Sequence, residues 1–209
     1  MLAVGSLLAR MKGCNVQPGA RVSWSVRVHQ GRAIVLGGGV EVLRNSTLDA
    51  TSSFDGVSLR IGPGSRVKEN VWCACYGGSI EIGKQVLIGR NTVLYGHGGV
   101  VVGDWTMIGP NVTIVSSEHV YWADDGTFQA QGFTREPIEI GENVWIGANC
   151  VILGGSRIER DVVVGAGAVV TDTLRSGYVY VGVPARPLRP LHAGEREVSV
   201  HHLNGQLRG

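Results

Sequence analysis

The sequence predicts an all-β fold, a parallel β-helix whose chain winds around a triangular prism. An aliphatic residue recurs at every sixth position, which neither an α-helix nor an alternating strand produces. Glycine is abundant (32 of 209 residues), as expected if every coil has three tight corners. A six-residue repeat is typical of β-helices, in which each repeat contributes one inward side chain. The longest uninterrupted aliphatic series is Ile140, Ile146, Ile152, Ile158, Val164 and Val170.

The same period extends over most of the chain. It is found in residues 16–40, 61–67, 82–94, 102–114 and 140–170, and is interrupted at 44–59, 73–79, 95–99 and 116–137. Three repeats make about one coil, so we expect seven or eight coils in a single domain spanning 1–209. The interruption at 116–137 is the longest. Long loops in compact domains are usually functional.

Composition favours a protein without nucleic-acid, membrane or metal partners. The net charge is only +2 and no basic block is present, which argues against nucleic acid and anionic lipid. The apolar opening, residues 1–9, is too short for a signal peptide or spanning helix, so we expect a short helix capping the first coil. Cys14, Cys73, Cys75 and Cys150 lack metal-ligand spacing, and Cys150 occupies an inward-type position. We therefore expect a reduced, cytoplasmic protein.

Three segments resemble the hexapeptide-repeat acyltransferases, most closely the galactoside, maltose and polysaccharide O-acetyltransferases. They are Pro-Ile-Glu-Ile-Gly-Glu-Asn-Val-Trp-Ile-Gly-Ala at 137–148, Gly-Ala-Gly-Ala-Val-Val-Thr at 165–171 and Gly-Val-Pro-Ala-Arg at 182–186. The resemblance implies a left-handed prism with one protruding loop (116–137) and a short C-terminal tail (about 187–209). It also implies a homotrimer that uses acetyl-CoA to acetylate a hydroxyl of a sugar or polysaccharide precursor, with each site shared by two subunits.

The segment Val-Thr-Ile-Val-Ser-Ser-Glu-His at 112–119 resembles the loop that carries the catalytic histidine in this family. His119 is thereby identified as the general base. Histidine suits this role because its ordinary pKa of about 6.5 leaves it mostly neutral at pH 7. Several relatives have serine after Trp-Ile-Gly, where this chain has Ala148. A backbone N–H near Gly147 or Ala148 is therefore the candidate donor to the oxyanion.

The resemblance also implies a coenzyme A groove between two prisms. Small residues at the corners of the repeats would allow coenzyme A to approach the backbone. They would equally allow the corners themselves to pack tightly. Arginines near the C-terminus match positions that contact the ribose phosphate or pyrophosphate. Relatives often have lysine where this chain has Asp172, and Arg175 is a candidate to compensate. Trp145 is expected either to line the groove or to pack at a subunit interface. The cofactor-binding set is Trp145, Gly147, Ala148, Ala166, Thr171, Arg186 and Arg189.

The acceptor site is expected near the interruption at 95–99. One coil contains about eighteen residues, so this corner should lie one layer below the point where the His119 loop begins. Tyr95 and His97 are the candidates there, and His97 could instead be an ordinary turn residue. Tyr121 and Trp122 could stack on a sugar. The Asp-Asp-Gly sequence at 124–126 could contact the same sugar or form a hairpin turn.

Three alternatives remain beside sugar O-acetylation. The first is N-acetylation of an amino sugar, often nucleotide-linked, with antibiotic acetylation more distant. The second is a γ-class carbonic anhydrase, which needs three zinc-binding histidines, and no second histidine follows His119 closely. The third is a non-catalytic β-helix scaffold, against which the His119 segment and the Gly-Val-Pro-Ala-Arg segment argue.

Overall fold

A computed structural model describes residues 7, 9–10, 12–52, 58–123 and 126–192. Within the predicted capping helix, Leu7 and Ala9 have helical backbone, as does Arg10 just after it, and the other residues of 1–9 lie outside the described part. Asp124 and Asp125, with their predicted turn, and the tail beyond residue 192 also lie outside it.

The described chain forms a three-sided parallel β-helix. Each side is one parallel sheet, and successive strands belong to faces 1, 2 and 3 in turn. Face 1 contains β1 (Asn15–Val16), β4 (Ile34–Leu36), β7 (Leu59–Ile61), β10 (Ile80–Ile82), β13 (Val100–Val102), β18 (Ile138–Ile140), β21 (Arg157–Ile158) and β24 (Thr173–Leu174). Face 2 contains β2 (Arg21–Val22), β5 (Glu41–Val42), β8 (Arg66–Val67), β11 (Leu87–Ile88), β14 (Met107–Ile108), β19 (Trp145–Ile146), β22 (Val163–Val164) and β25 (Tyr178–Val181), extended by the antiparallel β26 (Arg186–Pro190).

Face 3 contains β3 (Arg27–His29), β6 (Thr47–Asp49), β9 (Trp72–Ala74), β12 (Val93–Tyr95), β15 (Thr113–Val115), β20 (Val151–Leu153) and β23 (Val169–Val170). A separate antiparallel ribbon is formed by β16 (Ser117–His119) and β17 (Phe133–Arg135), and a 3₁₀ helix spans Gly31–Ala33. The strands make seven complete coils and two sides of an eighth, which confirms the expected number.

The core is a column of aliphatic side chains along the axis of the prism. The residues of the six-residue repeat are buried, with the exception of Val28, which is half-buried. Cys150 is also fully buried, as predicted from its position in the repeat. The column has no space for a substrate, so chemistry must take place on the outside of the prism.

Insertions occur at one of the three corners only, among the described strands. The inward residues of faces 1 and 2, such as Ile82 and Ile88, are always six positions apart, and so are those of faces 2 and 3. The spacing varies only between face 3 and face 1 of the next coil, for example eight from Leu94 to Val102. We call these connections the 3/1 corner, and the other two the 1/2 and 2/3 corners.

The pairing corrects three of the predicted repeat boundaries. Val16 pairs in register with Leu36 rather than Ile34, because the turn at Gly31–Ala33 adds two residues at the 3/1 corner. The predicted interruption 44–59 contains the regular strand β6. In the interruption 73–79, Cys73 still occupies the inward position and pairs with Leu94, so the repeat breaks only after it. These boundaries were wrong because Ile34 and Val40 are as deeply buried as the inward positions of the repeat, whereas the inward Cys73 is not aliphatic.

The 2/3 corner repeats one backbone conformation from coil to coil. Five asparagines there have φ between 58° and 61°, in the left-handed region that asparagine tolerates better than most residues. Their amides also bond between coils: Asn70 donates to Asn91 (3.1 Å) and Asn91 to Asn111 (3.0 Å). This ladder stabilises a corner that carries no insertion. The five asparagines that share the conformation are Asn45, Asn70, Asn91, Asn111 and Asn149.

Candidate active site at the edge of the prism

The longest insertion leaves the 3/1 corner as an ordered ribbon. β16 and β17 pair antiparallel, with Ser117 opposite Arg135 and His119 opposite Phe133. The prism continues beneath the ribbon, because β13 of one coil pairs directly with β18 of the next. The segment 116–137, predicted as a protruding loop, thus begins and ends as the two strands of a hairpin. Cross-strand partners share a face, so His119, Phe133 and Arg135 project to the same side.

Ser116 anchors the ribbon to the coil below. Its buried hydroxyl donates to the carbonyl of Tyr95 (2.9 Å) and accepts from the N–H of Gly98 (2.9 Å), and its carbonyl accepts from the N–H of Glu136 (3.1 Å). A Cβ at Gly98 would lie 2.5 Å from the nitrogen of Glu136. Only glycine therefore permits this close approach. The corner at 95–99 does lie directly under the start of the His119 loop, which confirms that prediction.

His119 is held in a defined orientation by the ribbon. Its Nδ1 lies 3.2 Å from the carbonyl oxygen of Gly132, near the start of β17. A carbonyl oxygen can only accept, so this contact places the proton on Nδ1 and leaves the lone pair on Nε2. The side chain is exposed. The arrangement has the tautomer and accessibility that a general base requires.

His119 belongs to a cluster of six aromatic rings that crosses three coils. Phe133 lies 6.3 Å from His119 and 5.2 Å from His97, ring centre to ring centre. Tyr76 lies 4.8 Å from His97 and 5.0 Å from Tyr95. The structure therefore brings Tyr95 and His97 together with His119, as predicted. The ring cluster consists of Trp72, Tyr76, Tyr95, His97, Phe133 and His119.

His97 is held in its neutral form. Burial lowers the pKa of its imidazole below the ordinary value, and the nearby Arg135 and His119 lower that pKa further. Its Nδ1 is enclosed and has no hydrogen-bond partner among the described residues. His97 is thus packed between rings, unlike a solvated turn histidine.

Three residues of this region were missed by the sequence analysis. Tyr76 has φ 46°, a left-handed conformation that is unusual for a bulky residue. Its position within the 73–79 interruption was the available signal, because strained residues often occur at functional sites. Phe133 and Arg135 alternate on β17, and Arg135 lies 5.4 Å from the centre of the Phe133 ring. This short alternation in a polar loop was too weak to indicate a strand.

Tyr121 and Trp122 do not join the ring cluster. They lie beyond the ribbon, pack on each other with ring centres 5.1 Å apart, and are 62% and 60% exposed. Within one chain they contact neither His119 nor His97 through any ring interaction between described residues. A sugar bound at His119 would therefore contact them only if it is long enough to extend beyond the ribbon, or if another subunit brings them to the site.

Most of the predicted coenzyme A residues gather at the 2/3 corner of the last coils. The N–H of Gly147 donates to Val164 (2.7 Å), and the carbonyl of Ala148 accepts from Gly167 (2.9 Å). A Cβ at Gly147 would lie 2.6 Å from the nitrogen of Ala166, so the coils touch through backbone alone. Arg186 begins β26 above this corner, opposite Val181. Of the described backbone bonds, none uses the N–H of Ala148.

The remaining predicted residues are more dispersed. Trp145 is 52% exposed on face 2, between Met107 and Val163, and Arg189 lies above it on β26. Thr171 follows β23 and is at the 3/1 corner, separated from Ala166 by the width of face 3. The tail predicted from about 187 begins inside β26 and is ordered as a strand there.

Arg175 does not replace the missing lysine. It lies at the 1/2 corner and forms an ion pair with Glu159 at 2.8 Å. It therefore lies apart from the predicted coenzyme A residues at the 2/3 corner.

Sequence comparisons identify the family. The family described as bacterial transferase hexapeptide (six repeats) matches residues 137–172, and the hexapeptide repeat of succinyl-transferase matches residues 79–116. Nodulation protein L of Rhizobium meliloti is 36% identical over 148 residues, which cover 68% of this chain and 79% of that protein. The chain belongs to the hexapeptide-repeat acyltransferase family, and its prism is the left-handed β-helix expected from that resemblance.

The chain is also similar to galactoside O-acetyltransferase of Escherichia coli, with 35% identity over 132 residues, or 60% of this chain and 64% of that enzyme. The galactoside O-acetyltransferase of Lactococcus lactis is 32% identical, and 61% of its length is matched. The chain thus spans somewhat less than two thirds of these two curated relatives.

Solved structures share the fold. AntD, an N-acyltransferase from Bacillus cereus crystallised with dTDP-4-amino-4,6-dideoxyglucose and coenzyme A, superposes with a TM-score of 0.62 at 20% identity, covering 88% of both chains. A hexapeptide-repeat-containing acetyltransferase from Vibrio cholerae, complexed with acetyl coenzyme A, has a TM-score of 0.50 at 25% identity, covering 91% of this chain and 78% of that one. In the described part of this chain, no helix has the length and hydropathy needed to span a membrane.

Proposed function

We propose that this protein transfers an acetyl group from acetyl-CoA to a hydroxyl of a sugar or polysaccharide precursor, with His119 as the general base. The observation that carries the proposal is the contact between His119 Nδ1 and the Gly132 carbonyl, which leaves Nε2 accessible beside the ring cluster. Nε2 takes the proton from the acceptor hydroxyl as its oxygen attacks the thioester carbonyl, and returns the proton to the departing thiolate.

The oxyanion of the tetrahedral intermediate is stabilised by a backbone donor. Gly147 already donates to Val164, whereas the N–H of Ala148 has no backbone acceptor among the described bonds. An uncommitted N–H at a rigid corner can donate to the oxyanion without reorganisation. Ala148 therefore contributes through its backbone, so the serine hydroxyl of some relatives is not needed.

The functional unit in this proposal is a homotrimer whose sites lie between subunits. His119 is at the 3/1 corner, whereas Gly147, Ala148, Ala166 and Arg186 are at the 2/3 corner, at the opposite edge of face 3. One chain alone holds the base and the coenzyme A corner apart. A cyclic trimer places the 3/1 corner of one subunit against the 2/3 corner of the next, and closes the ring of head-to-tail contacts.

Acetyl-CoA is then the co-substrate and no metal takes part in the reaction. Trp145 and the corner backbones accommodate the pantetheine, Thr171 completes the groove, and Arg186 and Arg189 contact the phosphates. The four cysteines are free, in keeping with a cytoplasmic enzyme of polysaccharide biosynthesis that acts as a single domain.

A thiol-release assay tests the function. The protein is incubated with acetyl-CoA and a panel of neutral sugars, acidic sugars, amino sugars and nucleotide sugars, and products are identified by mass spectrometry. We expect acceptor-dependent thiol release and a mass gain on a hydroxyl. Acetylation confined to amines would favour the N-acetyl alternative, and no acceptor-dependent release would contradict the proposal.

A further inference from the structure

Arg135 is the one cation on the ribbon face that carries His119, and it has no counter-ion among the described residues. No carboxylate oxygen of the described chain lies within 4.0 Å of its guanidinium, and no hydrogen bond uses it. Seven other described arginines pair with carboxylates, mostly on neighbouring coils. They are Arg21, Arg44, Arg66, Arg90, Arg157, Arg160 and Arg175.

The guanidinium is exposed and lies against its neighbours, although no described carboxylate pairs with it. It lies over the ring of Phe133, with Cζ 5.4 Å from the ring centre, an arrangement that favours a cation. On its other side it covers Gly77, where a Cβ would lie 3.3 Å from one of its terminal nitrogens. Gly77 has φ 92°, so a side chain is disfavoured there on both counts. A glycine two coils below thus leaves room for the arginine.

The nearby carboxylates point elsewhere. Glu118 is the cross-strand neighbour of Thr134, so its side chain lies on the opposite face of the ribbon. Glu136 turns to the coil above, where its Oε2 lies 2.7 Å from the position a Cβ would take on Gly155. Asp49 is one coil below Ala74, and its Oδ1 accepts from Thr51. No carboxylate in the described part of the chain therefore neutralises the positive charge of Arg135.

The charge lies where it can meet an acceptor bound at His119. The two residues are diagonal neighbours on one face of an antiparallel pair, and such neighbours are separated by about 7–8 Å. Phe133 lies between them and provides an apolar surface for a sugar ring. Because the pKa of His97 is lowered, Arg135 carries the permanent positive charge beside His119.

We propose that Arg135 selects an acceptor with a negative charge, a saccharide carrying a carboxylate or a phosphate one ring away from the hydroxyl that is acetylated. The anion accepts two parallel hydrogen bonds from the guanidinium while the sugar ring packs on Phe133. The reacting hydroxyl then points to His119. This inference rests on the proposed function, because it assigns the acceptor class to the same site.

The test measures binding and turnover separately with matched pairs of sugars. Galactose is compared with galacturonate, and glucose with glucose 6-phosphate, by calorimetry without acetyl-CoA and by thiol release with it. We expect the wild type to prefer one or both anionic members by roughly 10- to 100-fold, the usual effect of a charge-assisted hydrogen bond. A preference for galacturonate identifies a carboxylate as the recognised group, and a preference for glucose 6-phosphate identifies a phosphate.

Three variants sharpen the result. Arg135→Gln should remove the preference while leaving the KM of acetyl-CoA unchanged. Arg135→Lys should retain part of it, since charge persists without the planar fork. Arg60→Gln, which removes an exposed arginine from face 1, should behave as the wild type.

Equal affinity for charged and neutral sugars in the wild type, absence of binding by both anionic sugars, or a preference that survives in Arg135→Gln would overturn the inference. Failure of the proposed function looks different. In that case the anionic sugars bind and depend on Arg135, but no thiol is released with any acceptor.

Discussion

The 2/3 corner and the 3/1 corner are built from the same repeat yet differ in every respect that bears on function. At the 2/3 corner, the connection has constant length, asparagines repeat one backbone conformation, and amides bond from coil to coil. At the 3/1 corner, each of the first five connections departs from the six-residue spacing, and the longest forms the ribbon that carries His119. The regular edge stabilises the prism, and the irregular edge carries the candidate chemistry.

The difference follows from how a β-helix tolerates insertions. A coil pairs only with its neighbours, so residues added at a corner leave the register of the three faces intact. β13 and β18 pair in register even though the ribbon lies between them in sequence. One edge can therefore diversify while the other two keep the stack aligned.

The largest expected effect comes from removing the base at the irregular edge. His119→Ala should lower kcat by about 10²–10⁴, the range for one positioned proton acceptor. The KM of acetyl-CoA should change little. Glu118→Gln is the matched control, because Glu118 is on the same strand but on the opposite face of the ribbon. If His119→Ala keeps more than about a tenth of the wild-type kcat at pH 7.5 while correctly folded, His119 is not the base.

A second change addresses the coenzyme A end of the regular edge. Arg186→Ala should raise the KM of acetyl-CoA about tenfold and leave kcat nearly constant, because a contact far from the reacting carbonyl acts equally on ground and transition states. Steady-state kinetics at varied acetyl-CoA measure this split. Arg157→Ala, which removes an arginine from face 1, is the control. An unchanged KM in Arg186→Ala would mean that the phosphates bind elsewhere.

The stabilising role of the 2/3 corner is tested at Asn91. Asn91→Ala should lower the free energy of unfolding by about 1–2 kcal/mol, because the left-handed backbone conformation is unfavourable for alanine. Asn91→Gly loses the same amide ladder but keeps the conformation, so its loss should be smaller. Thermal unfolding gives the comparison, and kcat should be unaffected in both. Equal losses in the two variants would show that backbone conformation does not matter at this corner.

The smallest expected effect concerns His97. Its pKa is lowered in the folded protein, so below the ordinary histidine pKa of about 6.5 the unfolded chain binds more protons. Stability should therefore fall as pH drops below that value. Between pH 7.5 and pH 5.0, the Tm of His97→Phe should fall by less than the Tm of the wild type. A Tm drop of equal size in both proteins would contradict the burial of a neutral imidazole.

The sequence predicts the prism well because the fold depends on one simple period. Ile140 to Val170 recur without a miss, and every one of them is buried. It predicts corners less well, because a buried aliphatic residue at a corner looks the same as one on a strand. Val40 illustrates this: it is fully buried at a corner, yet Val42 on β5 holds the position aligned with Val22.

The candidate site is only partly predictable, for a related reason. His119, Tyr95 and His97 could be placed together from coil length alone. Phe133 and Arg135 could not, since their approach depends on the ribbon folding back over a glycine, Gly77, two coils of sequence away. Pairing between distant segments leaves no local pattern in the sequence.

The central claim is that the two corners act together only between subunits, and a complementation experiment tests it most directly. His119→Ala lacks the base, and Ala166→Trp blocks the coenzyme A corner at an exposed position. Each variant alone should be inactive, and Ala166→Ser should be active. Coexpressed at equal levels with different affinity tags and purified through both, the pair forms mixed trimers. In every trimer that contains both variants, one of the three interfaces joins an intact base to an intact corner, so about a third of the wild-type kcat per site should return. No recovered activity in verified mixed trimers would contradict a site shared between subunits.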